Sequence, residues 1–131
     1  MQQNFQAVGG DIAEIYWPDA KYEPGTVVIF GGTCEITQST IYCDHRVAGV
    51  ISHEPAYILN SQAEGIAVSL RGRVRARVMG TVKKGDLLVT SWTPGHFVSV
   101  KNDMGIGAAI AAKSLVDSTD SASKFIEVVL I

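Results

Sequence analysis

Short apolar runs rich in valine and isoleucine recur along this chain, and glycines or other turn-forming residues separate them. β-branched residues favour strands, and turn signals at short intervals are typical of β-sandwiches and β-barrels. The pattern predicts an all-β fold, a compact single-domain barrel or sandwich with roughly eight to ten short strands. The runs are TVVIFGG, RVAGVIS, GIAVSLRG, RVRARVMG, DLLVTS, HFVSVK and FIEVVLI.

Turn signals lie at Pro24-Gly25, Lys84-Gly85-Asp86 and Pro94-Gly95. The segment GAAIAAKSL, residues 107–115, has the alanine content of a helix but follows a glycine-rich bend. Because glycine in that position favours a strand entering from a bend, we expect a strand there. The polar loop DSTDSAS, residues 117–123, separates the last strand from the body.

The length of 131 residues suits one domain, and we expect an N-terminal arm over residues 1–10 and a single β domain over residues 11–131. The formal net charge of -2 gives no general attraction to nucleic acid or to an anionic membrane. No apolar run reaches the ~20 residues that span a bilayer, and the first residues lack the features of a signal peptide. We therefore expect a soluble protein that is made in the cytoplasm and has no membrane partner.

The stretch RGRVRAR places arginines at alternate positions, so in a strand their guanidinium groups project from one face. The arginines are Arg71, Arg73, Arg75 and Arg77. One interpretation is a binding surface for an acidic partner, a glycan or another polyanion. The other is a solvated face that the protein's own acids neutralise. No aromatic residue interleaves with the arginines to stack bases, so nucleic acid is not the expected ligand.

Two cysteines and three histidines were considered as metal or redox groups. Cys34 and Cys43 flank a short segment that a tight turn at Gln38-Ser39 would fold into a hairpin, which would place the two thiols opposite each other. In a reducing compartment we expect free thiols, with a disulfide as the alternative. The histidines, His45, His53 and His96, are not spaced as a ligand set, so no metal is predicted. No complete nucleotide-binding or hydrolase motif is present, so no cofactor and no enzymatic activity are expected.

The acids Asp11 and Glu14 follow a pair of glycines in GGDIAE. Such a pair could act as catalytic acids, or it could accept backbone N–H bonds at a turn or face the arginines of RGRVRAR. Acid catalysis needs one carboxyl group held in the protonated state, and nothing in the sequence indicates the burial that this requires. We interpret the pair as a structural or inter-subunit contact.

Three further segments follow one another in a specific order: GGDIAEIYWPDAKYEPGTVVIFGG, DHRVAGVISHEPAYILN and VSLRGRVRARVMGTVKKGDLLVTSWTPGH. With a closing E-V-V, they make most of the chain resemble the C-terminal β domain of bacteriophage tail-fibre, appendage and related virion structural proteins. The resemblance implies a non-enzymatic homotrimer that decorates or cements the capsid or forms part of a tail fibre. Its implied partners are copies of itself and other virion proteins, such as major capsid or tail proteins. Its implied location is the virion, after assembly in the host cytoplasm.

The resemblance also implies an alternative function. In some related appendage proteins a D-x-x-E motif marks a self-cleavage point that releases a C-terminal chaperone segment. Asp11 and Glu14 match that pair, and the Gly10–Asp11 bond matches the cut, although a glycine stands where those proteins carry a serine.

Aromatic residues beside prolines, or in an otherwise polar segment, are the candidates for subunit contacts. Phe5 would anchor the N-terminal arm on a neighbouring surface. Trp17, Tyr22 and Trp92 lie near Pro18 or Pro94 and would contact another subunit, with core packing as the alternative role.

Overall fold

A computed structural model of the protein describes residues 10–100 and 107–131. Ten strands form one continuous sheet, and the only helical element in the described residues is a 3-10 turn at Gly107–Ala109. The strands are β1 (Gly10–Tyr16), β2 (Val27–Phe30), β3 (Ile36–Gln38), β4 (Val47–Ile51), β5 (Tyr57–Leu59), β6 (Ile66–Met79), β7 (Leu87–Thr90), β8 (Phe97–Ser99), β9 (Ala112–Ser114) and β10 (Lys124–Leu130).

Five of these strands close into a β-barrel. Around the ring, β6 pairs with β10, β10 with β9, β9 with β7 and β7 with β8, and a parallel pairing of β8 with β6 closes the circle. Closure leaves no open edge in this part of the sheet. The interior is filled by apolar side chains from alternate positions of the barrel strands, with Phe97 the largest of those that are fully buried.

The 14-residue strand β6 connects the barrel to the rest of the sheet. At Val78 it pairs with both β10 and β8, and at Ser69 it pairs with both β1 and β4. Because β6 has only two edges, β4 and β10 lie one after the other along one edge of it. β1 and β8 lie one after the other along its opposite edge. The strand therefore belongs to the barrel at its C-terminal end and to an open extension at its N-terminal end.

The extension has two branches with a small core of their own. One branch runs from β6 through β4 and β2 to β3, and the other runs through β1 to the parallel strand β5. Val28, Ile36, Ile51 and Val68 form the buried centre of this second core. Tyr22, predicted as a subunit contact, is half-buried and packs against this core, and its hydroxyl donates a hydrogen bond to Asp19.

The predicted all-β fold is confirmed, and of the two predicted architectures, barrel or sandwich, the structure has a barrel. The ten strands in residues 10–100 and 107–131 fall within the predicted range. All three predicted turns are present. The segment 107–115 combines the 3-10 turn with the short strand β9, so the expected strand occupies only its second half. The predicted hairpin around Gln38-Ser39 is wrong, because β3 pairs with β2 and no strand follows it before Val47. Cys34 and Cys43 are free thiols.

Candidate functional site

A cationic surface covers one side of the barrel wall. Arg71, Arg73 and Arg75 are exposed and Arg77 is half-buried, whereas Ala76 and Val78 are buried in the barrel core. The alternation of β6 therefore sends the four arginines to the outside, as the period of two in the sequence requires. Neighbouring strands complete the surface, because directly opposed residues share a face of the sheet. The opposed pairs are Arg73–Val129, Arg75–Glu127, Arg77–Phe125 and, on the next strand, Val129–Lys113.

We call this surface the cationic face and define it by Arg71, Arg73, Arg75, Arg77 and Lys113. Glu127 lies among these residues, and its carboxylate is 3.7 Å from Nε of Arg73. Within residues 10–100 and 107–131, this is the only ion pair that joins the cationic face to an acid. Both partners are solvated, so the pair contributes little free energy. The protein's own acids in the described residues therefore leave most of this positive charge unneutralised.

An aromatic ring lies between the arginines. Phe125 of β10 is 45% exposed, and the guanidinium carbons of Arg75 and Arg77 are 5.7 Å and 5.2 Å from its ring centroid. Both distances fall within the range of cation–π attraction. Sequence reasoning missed this residue, since Phe125 is 48 positions from Arg77 in sequence and only the pairing of β10 with β6 brings them together.

An exposed apolar strand forms the second notable surface. The side chains of Tyr57, Ile58 and Leu59 in β5 are 71%, 44% and 50% exposed. Because successive side chains alternate in direction, both faces of this strand are open to solvent. In the part of the chain that the structure describes, β5 pairs only with β1, so its outer edge is free of strand partners. The sequence AYILN between Pro55 and Ser61 gave a short apolar signal for this strand, but sequence reasoning did not single it out as a site.

The two surfaces meet on one side of the molecule. Ile12 of β1 is exposed, and it is paired with Tyr57 of β5 on one side and with Arg71 of β6 on the other. These three side chains therefore lie in a row across three strands. The cationic face begins where the apolar strand ends.

Asp11 and Glu14 are not brought together as an acid pair. Three positions apart in β1, their side chains project to opposite sides of the strand. Asp11 is only 3% exposed, and its carboxylate accepts a hydrogen bond of 2.7 Å from the Ser52 hydroxyl. Glu14 instead lies near Tyr16. The pKa of Tyr16 is raised, mainly by burial of its side chain and to a smaller extent by the hydrogen bond with Glu14 and the negative charge of Glu14. Neither carboxylate forms an ion pair with an arginine of the cationic face.

The other predicted contact aromatics differ in their exposure. Trp17 is 61% exposed, and its backbone N–H donates to the Glu35 carboxylate. Trp92 is 71% exposed and stacks on Tyr42, with ring centroids 6.4 Å apart. Phe5 and the N-terminal arm, apart from Gly10, lie outside the described residues.

The histidines have separate surroundings. Nδ1 of His96 lies 2.8 Å from the Pro94 carbonyl oxygen, and Nε2 lies 2.6 Å from the Ser123 hydroxyl. Since a carbonyl oxygen only accepts, Nδ1 carries the proton in the neutral ring and Nε2 accepts from Ser123. This bond ties the polar loop 117–123 to the barrel. His45 borders a shallow groove of about 160 Å³ beside Leu70 and Ile131.

No group of three or more histidine, cysteine, aspartate or glutamate side chains in residues 10–100 and 107–131 is arranged to hold a metal ion. Within the same ranges, no helix has the length and apolar character needed to cross a bilayer.

Comparison with known proteins gave no relationship: no protein-family model matches the chain, and no curated protein matches its sequence.

Proposed function

We propose that this protein is a non-enzymatic structural subunit of a bacteriophage virion that assembles with copies of itself as a homotrimer. In this role the closed barrel is the rigid body, and strand β5 is the contact between subunits. The trimer decorates the capsid or forms part of a tail appendage, with major capsid or tail proteins as its partners. The ordered motifs that resemble virion β domains support the virion assignment.

The exposure of β5 is the observation that carries the proposal for self-assembly. An apolar strand with an open edge and two solvated faces is a liability in a free monomer, because it offers both backbone partners and apolar area to other chains. Tyr57 and Ile12 lie side by side on one of those faces, which extends the apolar area onto β1. Burial of such a surface against further copies removes the liability.

The proposed symmetry constrains how β5 is used. Edge-to-edge pairing of two identical antiparallel strands is isologous, so it would stop at a dimer. A trimer instead brings the three copies of β5 around a common axis, where the side chains of Tyr57, Ile58 and Leu59 pack together. The side chains, rather than the open backbone edge, are then the main source of the association free energy.

Light scattering after size-exclusion chromatography tests this arrangement. The wild-type protein is expected at three times the chain mass of 14.0 kDa, and Ile58→Lys is expected to elute as a folded monomer. Ile41→Lys is the matched control, because Ile41 is exposed to the same extent as Ile58, 43% against 44%, but lies in the loop after β3. A wild-type protein that is monomeric or dimeric would contradict the trimer. If Ile41→Lys dissociates the trimer and Ile58→Lys does not, β5 is not the contact between subunits.

The virion assignment has a separate test. Electron microscopy of purified particles, with an antibody against this chain, is expected to show the protein at the capsid surface or on the tail. Absence of the chain from intact particles would refute the assignment, whatever the oligomeric state of the purified protein.

A further inference from the structure

We infer that the cationic face binds an acidic polysaccharide, a linear chain with repeated carboxylate or sulfate groups. This inference is independent of the proposed self-assembly, because it rests on the barrel wall and not on β5.

The charge of the cationic face is large for a protein with a formal net charge of -2. Arg71, Arg73, Arg75 and Lys113 are exposed, and a single acid, Glu127, pairs with one of the arginines. Like charges on one face of a sheet repel one another unless anions lie opposite them. An anionic ligand would relieve this repulsion, so its binding gains free energy that a neutral ligand does not.

The geometry suits a linear ligand with repeated anionic groups. Alternate residues of a strand are about 7 Å apart, so the four arginines of β6 follow one another along one face of the barrel wall. Guanidinium groups form paired hydrogen bonds with carboxylate and other oxyanions, whereas an ammonium group acts as a point charge. A row of arginines with one lysine beside it is therefore better suited to planar carboxylates and to sulfates than to isolated small ions.

Phe125 argues against single-stranded nucleic acid as the ligand. Proteins that bind single strands offer aromatic faces on which bases stack. Here the guanidinium carbons of Arg75 and Arg77 lie 5.7 Å and 5.2 Å from the Phe125 ring centroid, so a base that stacks on this ring would compete with two cation–π contacts. The ring holds Arg75 and Arg77 in position instead of offering a stacking platform.

Fluorescence anisotropy with labelled polymers at low salt tests the inference. The probes are polygalacturonate and heparin as acidic polysaccharides, an oligothymidylate as a single-stranded nucleic acid, and dextran as a neutral polysaccharide. The acidic polysaccharides are expected to bind, and their affinity is expected to fall as the salt concentration rises, because the contacts are between exposed charges. Dextran is expected not to bind.

Two variants of equal charge locate the contact. Arg73→Glu with Arg75→Glu is expected to weaken binding of both acidic polysaccharides about tenfold or more, because it juxtaposes like charges. Lys21→Glu with Lys84→Glu makes the same change in net charge at exposed positions that are not part of the cationic face, and it is expected to weaken binding far less.

Three results would overturn the inference. The first is that neither acidic polysaccharide binds at low salt. The second is that both double variants weaken polysaccharide binding equally. The third is that oligothymidylate binds as tightly as the acidic polysaccharides. Oligomeric state measured on the same samples separates this inference from the proposed function, since Arg73 and Arg75 lie outside β5.

Discussion

Asp44 shows how one residue can make the stability of this protein depend on pH. Its side chain is almost fully buried, and its two carboxylate oxygens accept hydrogen bonds from Nε and Nη2 of Arg46 at 3.1 Å and 2.9 Å. The hydrogen bonds from Arg46 hold the pKa of Asp44 below its usual value, despite the opposing effect of burial. The same pair raises the pKa of the Arg46 guanidinium. Both partners are therefore charged at neutral pH.

The sign of the effect follows from the lowered pKa. Unfolded Asp44 takes up a proton near pH 3.9, whereas folded Asp44 does so only at lower pH, so the unfolded state binds more protons in acid. The stabilisation is complete above about pH 4 and is lost as the pH falls through the folded pKa. Asp44→Asn is expected to lower the free energy of unfolding by about 1–3 kcal/mol at pH 7 and by less at pH 3.

Urea denaturation at pH 7, 5 and 3 measures this difference. The exposed Glu64→Gln serves as the control and is expected to leave the free energy of unfolding nearly unchanged at each pH. If the difference in the free energy of unfolding between wild type and Asp44→Asn grows toward pH 3, the pKa of Asp44 in the folded protein is not lowered.

At the scale of elements, β6 is the strand on which the barrel and the open extension both depend. Gly72 lies where β1 and β10 flank it from opposite edges. Its φ of 98° is in the region that favours glycine, and an added Cβ would overlap the carbonyl oxygen of Gly10. The close approach of β1 to β6 thus requires the absence of a side chain at this position.

Gly72→Ala is expected to cost more stability than Gly80→Ala. Gly80 has a similar φ of 86°, but an added Cβ there would meet no atom within 4 Å. The second substitution therefore measures backbone strain alone, about 1 kcal/mol, and the first adds a steric clash of about 1–3 kcal/mol. Thermal and urea unfolding of both variants gives the comparison. If both variants lose the same free energy of unfolding, β1 can move away from β6 in Gly72→Ala without loss of stability.

The strands that sequence patterns predicted are apolar runs in which two or more residues are buried in a core. The runs around β2, β4, β7, β8 and β10 have this property, and the structure places a strand in each. Two runs, GIAVSLRG and RVRARVMG, proved to be one strand, β6, because Gly72 adopts a conformation that continues the strand. β5 was missed because its three residues are held by pairing with β1 and not by burial.

The cationic face was predictable only in part. The alternation of the arginines in β6 is a local property of the sequence, and the structure places them on one face as expected. The contributions of Phe125, Glu127 and Lys113 depend on which strands are neighbours, and pairing between distant segments leaves no local signal. For the same reason the sequence did not show that Ile12 and Tyr57 border the arginines.

At the scale of the whole molecule, two buried cores share the same strands. Val27 of β2 and Val50 of β4 belong to the barrel core, whereas the next residues, Val28 and Ile51, belong to the core of the extension. Side chains of successive strand residues point to opposite faces, so β2 and β4 are a common wall between the two cores. Loss of either core removes support from the other.

This shared wall predicts a single cooperative unfolding transition. Leu88→Ala in the barrel core and Ile51→Ala in the core of the extension are each expected to cost about 2–5 kcal/mol, because both residues are fully buried. Each is expected to shift one transition, with far-UV circular dichroism and tryptophan fluorescence changing together. Ile41→Ala, at an exposed position, is the control and should cost less than about 0.5 kcal/mol. Two separate transitions in the Ile51→Ala variant, with the barrel melting at the wild-type temperature, would show instead that the extension unfolds independently and that β2 and β4 do not couple the cores.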